Sequence, residues 1–220
     1  MGLILLGFIV EEITQSSFDD YVNQNILIPL SMTDTKTYMS TDDYGKNLAL
    51  GYSSLNRDVV REKVNFFNAD GIAAAAGFTS NVLDIAKFAR WQMKLLASIE
   101  KNILLPETLR SMHEVQWDDE LTSVTRGLGF GVYNFDGENW VGHGGSCPGY
   151  RSQLYINPDK EIAYSVMINS SGTSPTKYIA GIHEILSNVK IKKGEETNRF
   201  KEFEGRYISQ PWASETYVQS

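Results

Sequence analysis

A chain of 220 residues, 42% apolar and 21% charged, has material for one ordinary globular domain and a fragment of a second. Its net charge of −7, with no basic stripe, excludes nucleic acid as the main partner. A single cysteine excludes an internal disulfide.

Met1 to Val10 is nearly all apolar, but it lacks a basic start and a small-residue cleavage site, and Glu11 and Glu12 follow it directly. It therefore does not read as a signal sequence, and it is too short to span a bilayer. The pattern predicts a first helix over Gly2 to Thr14, buried on most sides. Such a helix at the start of a chain expects partners from a segment outside it.

Ser17, followed by Asp20 three places on, predicts a capped second helix with Phe18, Tyr21, Val22, Ile26 and Leu30 on one face and a stop near Pro29. Residues 33 to 70 lack periodicity and are rich in Thr, Asp, Asn and Tyr. Such an excursion commonly forms a cleft wall.

Thr79 and Ser80 are expected to cap a third helix, with Val82, Ile85, Ala86, Ala89 and Met93 as its apolar face and Asp84 in its first turn. Pro106 opens a short helix through His113. Four short apolar runs then alternate with turns: Phe130 to Phe135, turned by Asp136-Gly137 into Glu138 to Val141; then Gln153 to Asn157 and Glu161 to Asn169, with Asn157 to Lys160 between these last two. This is the pattern of an antiparallel meander. Ser174-Pro175 starts a last helix with Tyr178, Ile179, Ile182, Leu186 and Val189 on its buried face. Residues 1–190 form one domain in this reading, 191–198 a charged linker, and 199–220 the start of a second small β-domain.

Between the second and third runs of the meander stands Gly142-His143-Gly144-Gly145-Ser146-Cys147-Pro148-Gly149. Glycines within a strand mark a place where a ligand or another backbone comes close. A histidine followed by two of them at a strand edge has the look of a site. Cys147 is expected to be a neutral thiol, since nothing basic is arranged to lower its pKa. The Gly-x-Ser-x-Gly reading of this stretch fails, because its last glycine is one place late and its neighbours are antiparallel strands. His113 and His183 fall on helices and read as structural or exposed. Three dispersed histidines without a cysteine partner do not make a metal site, so neither a metal nor another cofactor is expected.

The order of features resembles the serine β-lactamase and penicillin-binding-protein superfamily, most closely its β-lactamase-related serine hydrolases, which include esterases and D-aminopeptidases. Gly2 to Thr14 is similar to the helix after the family's Tyr-x-Asn motif. Pro29-Leu30-Ser31-Met32 resembles its "PLGM" end with serine for the usual glycine. Ala76-Gly77-Phe78-Thr79-Ser80 with Asp84 to Phe88 resembles the segment that follows, and His143-Gly144-Gly145 stands where the family has Lys-Thr-Gly or His-x-Gly. The match runs in order over roughly residues 1 to 190.

The resemblance implies an α+β fold, an antiparallel sheet with helices on its faces, as a partial β-lactamase/transpeptidase-like domain. It also implies acyl-serine chemistry by three elements: Ser-x-x-Lys, Tyr-x-Asn and Lys-Thr-Gly. Carried over, His143 would face the cleft in place of lysine, the Ser146 N–H would be an oxyanion donor, and Gly144 and Gly145 would let the acyl group lie against the strand.

The first two elements are missing from this chain. Ser98/Lys101, Ser174/Lys177 and Ser187/Lys190 have the Ser-x-x-Lys spacing, but with this serine and lysine content about one such match arises by chance. Tyr21/Asn23 and Tyr155/Asn157 fall in a helix and before a hairpin turn. The chain therefore reads as a C-terminal portion of a serine hydrolase, inactive alone, whose partners would be a small acyl or peptide substrate and the missing N-terminal half. The competing reading is a non-catalytic binding or regulatory module that keeps the cleft scaffold. The family association suggests an envelope or extracellular location.

Overall fold

A computed structural model describes residues 2–119, 124–135, 137–188, 205–208 and 215–218. The chain divides into two compact units, 1–182 and 183–220. Among the described residues no helix is long and apolar enough to cross a membrane.

In the first unit, α1 (Gly2–Thr14) leads to α2 (Phe18–Val22), which continues as a π-helical turn over Asn23–Leu27. Ser17 caps α2 by accepting the Asp20 N–H at 3.0 Å, as its spacing predicts. Val22, Leu27 and Met32 bury together against Phe18, Ile26, Leu30 and Phe88. The chain then reverses through Ser31, whose φ of +56° is the left-handed value that glycine adopts more easily.

After the excursion come α3 (Ala73–Ala76), α4 (Val82–Leu96) and α5 (Pro106–His113). The cap of α4 is Asn81, which accepts the Asp84 N–H at 2.9 Å, and not Thr79-Ser80. Those two residues are held elsewhere. Thr79 exchanges backbone bonds with Lys36, and the Ser80 hydroxyl lies 2.7 Å from that of Thr35.

A six-stranded antiparallel sheet follows in simple sequential order: β1 (Trp117–Asp119), β2 (Val124–Arg126), β3 (Gly131–Phe135), β4 (Glu138–Cys147), β5 (Tyr150–Asn157) and β6 (Ile162–Ile168). The strands β1 and β2 are too short for their alternation to show in the sequence. Register puts Val141, Leu154, Ile156 and Ala163 on one face and Trp140, Tyr155, Tyr164 and Val166 on the other. Ala89 and Met93 of α4 pack on the first face. Ile179 of α6 (Pro175–Asn188) packs on the second. The sheet is thus covered on both faces by helices, the α+β arrangement read from the sequence.

The first helix departs from its expected burial. Only Gly7 is buried, while Leu3, Leu5, Leu6, Phe8, Ile9 and Ile13 are each about half exposed or more. A Cβ on Gly7 would stand 2.7 Å from that of Ala74, so α1 meets the fold along its glycine side and leaves its apolar side chains uncovered. The second unit holds a two-stranded antiparallel hairpin, β7 (Gly205–Ile208) with β8 (Glu215–Val218). The linker expected over 191–198 lies outside the described residues.

Candidate active site

The histidine–glycine stretch is the outer half of β4, a ten-residue strand rather than a short strand followed by a loop. Its two neighbours do not run equally far. β5 pairs with β4 as far as Cys147, opposite Tyr150, whereas β3 stops at Gly131, opposite Gly142. From His143 to Cys147, β4 therefore has no strand on its β3 side among the described residues. Backbone groups there are open to a ligand, and His143, Gly144, Gly145 and Ser146 are all exposed.

Side chains alternate along this half-strand. His143 lies opposite Leu154, which lies opposite Ser165, so these three form a row across the sheet on the face where α4 packs. Ser146 falls on the other face, opposite Arg151. The His143 ring Nδ1 is 2.7 Å from the Gly144 carbonyl oxygen, which leaves Nε2 as the outward ring atom.

The glycines have separate reasons. A Cβ on Gly144 would stand 2.7 Å from the Gln153 Oε1, and one on Gly145 would collide with the Ser152 hydroxyl. Both obstacles are side-chain ends that can move. At Gly142 the obstacle is the Leu154 backbone carbonyl, which cannot. Sequence reasoning singled out Gly144 and Gly145 and passed over Gly142, though all three belong to the same run.

The excursion after α2 is anchored where β4 turns into β5. The Tyr150 hydroxyl donates to the Ala49 carbonyl at 2.5 Å, and Asn169 donates to Leu50 at 2.9 Å. Tyr52 exchanges backbone bonds with Asn169 and Ser171. Arg61 donates to the carbonyls of Ser53 and Ser171 at 2.7 and 2.9 Å, binding both sides of the seam. Burial, with Tyr44 nearby, pushes the Tyr150 hydroxyl up to about 12, so it stays a neutral donor. Burial also raises the Cys147 thiol, against a weaker opposing influence from Arg151, in keeping with the neutral thiol expected there.

The serines of the decoy motifs make local bonds. Ser98 closes α4, its hydroxyl accepting the Glu100 N–H; Ser174 accepts the Lys177 N–H on its backbone carbonyl; and the Ser187 hydroxyl donates to the His183 carbonyl. Tyr155 sits in the core beside Trp140. His113 is structural. Its Nε2 lies 2.9 Å from the Gln92 Oε1, its ring meets that of Phe130 edge-on at 4.8 Å, and burial lowers its pKa to about 4.

The Beta-lactamase family model matches residues 1–185. The chain belongs to the beta-lactamase family. Among solved structures, this beta-lactamase family member is similar to the octameric penicillin-binding protein homologue of Pyrococcus abyssi. The two share 28% identity and a TM-score of 0.74, over 94% of this chain and 47% of that one. The D-amino acid amidase of Ochrobactrum anthropi shares the fold, with 22% identity and a TM-score of 0.72 over 85% of this chain and 56% of its own. Among curated proteins, protein flp of Staphylococcus aureus is 24% identical over 86% of this chain and 36% of itself. The unguisins hydrolase ungD' of Aspergillus campestris is 24% identical over 80% of this chain and 33% of itself. The chain thus spans about half the length of these solved structures and about a third of the curated relatives.

Proposed function

We propose that this chain is the C-terminal part of an acyl-serine hydrolase that cleaves a small ester, amide or D-amino-acid peptide when the rest of the domain is present. The observation that carries this reading is the length of β4. Its His143–Cys147 half extends five residues beyond its β3 partner and offers an open strand edge where the family's third motif would stand.

In this reading the serine nucleophile and its base come from the part of the protein that this chain does not span. The serine oxygen attacks the substrate carbonyl, and negative charge grows on the carbonyl oxygen. The Ser146 N–H donates one of two hydrogen bonds to that oxyanion, a contribution of about 3 kcal/mol at a preorganised donor. Gly144 and Gly145 keep side chains out of the path of the acyl group. The His143 Nδ1–H donates to the Gly144 carbonyl, so in the neutral ring Nε2 faces the cleft as a hydrogen-bond acceptor, where lysine could only donate. The anchored excursion over 33–70 forms a wall of the same cleft and shapes what enters it.

Acyl transfer needs nucleophile, base and oxyanion donors together, so the chain alone is inactive. The test is incubation with a chromogenic cephalosporin, p-nitrophenyl acetate and a fluorophosphonate probe, read by intact mass. The expected result is no adduct on this chain and a stoichiometric adduct on a version extended upstream. An adduct on Ser98 or Ser174 would overturn the claim that the nucleophile lies elsewhere. An extended version that never labels would favour a non-catalytic module that retains the cleft.

A further inference from the structure

Ser171 stands where three segments meet, just past the end of β6. Its backbone N–H donates to the Tyr52 carbonyl at 2.8 Å, its own carbonyl accepts from Arg61 at 2.9 Å, and its hydroxyl accepts the Gly149 N–H at 3.1 Å. The excursion reaches this junction as a ribbon of two extended stretches. In it the Ser53 N–H donates to the Glu62 carbonyl at 2.8 Å and the Val64 N–H to the Gly51 carbonyl at 2.9 Å, while Tyr52 also bridges to Ser170. One guanidinium nitrogen of Arg61 closes the ribbon onto the junction, donating to the Ser53 carbonyl at 2.7 Å as well as to that of Ser171. Hydrogen bonds from an ionised donor are the stronger kind. Arg61 is half-buried and has no carboxylate within ion-pair distance among the described residues, so nothing anionic there competes with the two carbonyls. On its other side the junction holds the β4–β5 turn. Arg151 braces that turn from within, donating to the Cys147 and Tyr150 carbonyls at 3.0 and 2.7 Å, so Gly149 moves with the end of β4.

We infer that Ser171 and Arg61 are positioning residues that select for acyl groups long enough to touch the cleft wall. Ser171 ties β4 to the excursion, and Arg61 holds the excursion on Ser171. The selection rests on the acyl-serine reading, in which the Ser146 N–H serves the oxyanion and the excursion lines the cleft. Gly149, bonded to Ser171, lies three residues beyond Ser146, so the oxyanion donor and the wall share one anchor. Neither side chain touches the reacting atoms; both act through the backbone they hold. Small displacements of such supports are costly, because orientation carries much of a catalysed rate. A short acyl group ends before the wall and gains little from the anchor, whereas a long one is held by it.

Two measurements separate the anchor from the chemistry. On the 220-residue chain, hydrogen exchange read by mass spectrometry follows the peptides around Tyr52, Gly149 and Ser171. Ser171→Ala removes only the side-chain acceptor for Gly149 and should speed exchange there by about tenfold or more; Arg61→Ala should do the same around Tyr52 and Ser171. Ser171→Thr keeps the hydroxyl and should restore slow exchange, and Ile99→Ser, at a 97% exposed position between α4 and α5, is the control. On a version extended upstream, steady-state kinetics compare p-nitrophenyl acetate with p-nitrophenyl octanoate. Both alanine variants should raise KM for the octanoate by about tenfold or more relative to the acetate, with kcat for the two esters changing alike, and Ser171→Thr should recover the difference. Circular dichroism melts check folding, and Ser171→Ala alone suffices if Arg61→Ala does not fold. Slow exchange in both alanine variants would overturn the anchor. Fast exchange with an equal loss on both esters would overturn the selection and leave the two residues merely structural. An extended version that hydrolyses neither ester would overturn the acyl-serine reading and the selection with it, while the exchange result still decides the anchor.

Discussion

Gly149 lies against Gly51. A Cβ on Gly149 would stand 2.8 Å from the Gly51 Cα, and its φ of +83° is one that side chains rarely adopt. The contact joins the β4–β5 turn to the excursion after α2, between the Tyr150–Ala49 and Asn169–Leu50 hydrogen bonds. Two glycines ninety-eight positions apart therefore hold the β4–β5 turn against the excursion.

Gly149→Ala should destabilise the chain by about 1–3 kcal/mol, because it adds left-handed backbone strain to a backbone collision. Chemical denaturation monitored by tryptophan fluorescence measures this. Gly137→Ala is the comparison, since Gly137 shares a positive φ of +80° but has open space around it. An equal loss at both positions would show that strain alone, and not the contact with Gly51, sets the cost.

The apolar side of α1 should make the isolated chain self-associate. Phe8 is 58% exposed and Ile13 77%, and with Leu5 and Leu6 they make a patch that water does not tolerate well at high concentration. Light scattering after size exclusion is expected to show oligomers, and Leu5→Lys with Ile13→Lys should shift them toward monomer. A monomer with a sharp cooperative melt in the unmodified chain would contradict this expectation.

On the proposed acyl-serine reading, in an upstream-extended version that turns over substrate, His143→Ala should lower kcat/KM by ~10- to 1000-fold, the range of hydrogen-bonding and acid–base roles. Its melting temperature should barely change, because His143 is exposed and, among the described residues, its ring bonds only to its neighbour's carbonyl. Steady-state kinetics alongside thermal melts separate the two effects. An unchanged rate would remove His143 from the site.

Stability should fall in two stages as pH drops. Burial holds the His113 pKa at about 4, below the ordinary 6.5. The unfolded chain binds that proton first, so stability is full above pH 6.5 and declines toward pH 4. Burial alone would raise the Asp84 carboxyl, but bonds from Lys87, Thr35 and the Asp34 N–H outweigh it, and the net shift is downward. Its contribution is present above its unfolded pKa near 3.8 and is lost below it. Melting temperatures from pH 8 to pH 3 should show both stages. His113→Gln should flatten the upper stage, and Asp84→Asn should flatten the lower and cost about 2 kcal/mol at neutral pH. An upper stage that survives His113→Gln would refute the assignment to that imidazole.

Local patterns were enough for much of this protein. Alternation and turn dipeptides marked β3 to β6, Ser17 marked the start of α2, Pro175 marked α6, and the ordered run from Gly2 to His143-Gly144-Gly145 marked the family. These signals lie within a few residues of one another, where backbone sterics and side-chain periodicity act. Other features depend on pairs far apart in the chain. That β3 ends opposite Gly142 and leaves His143–Cys147 open is a matter of strand register, which no stretch of β4 encodes by itself. The true cap of α4 was Asn81 because Lys36 and Thr35 already hold Thr79 and Ser80. The burial of Asp84 follows from Asp34 and Thr35, about fifty residues earlier. The apolarity of α1 was plain in the sequence, but which side of it meets the fold was decided only when Gly7 came against Ala74. Composition states that a side chain prefers to leave water; only the packed chain supplies, or fails to supply, the surface that covers it.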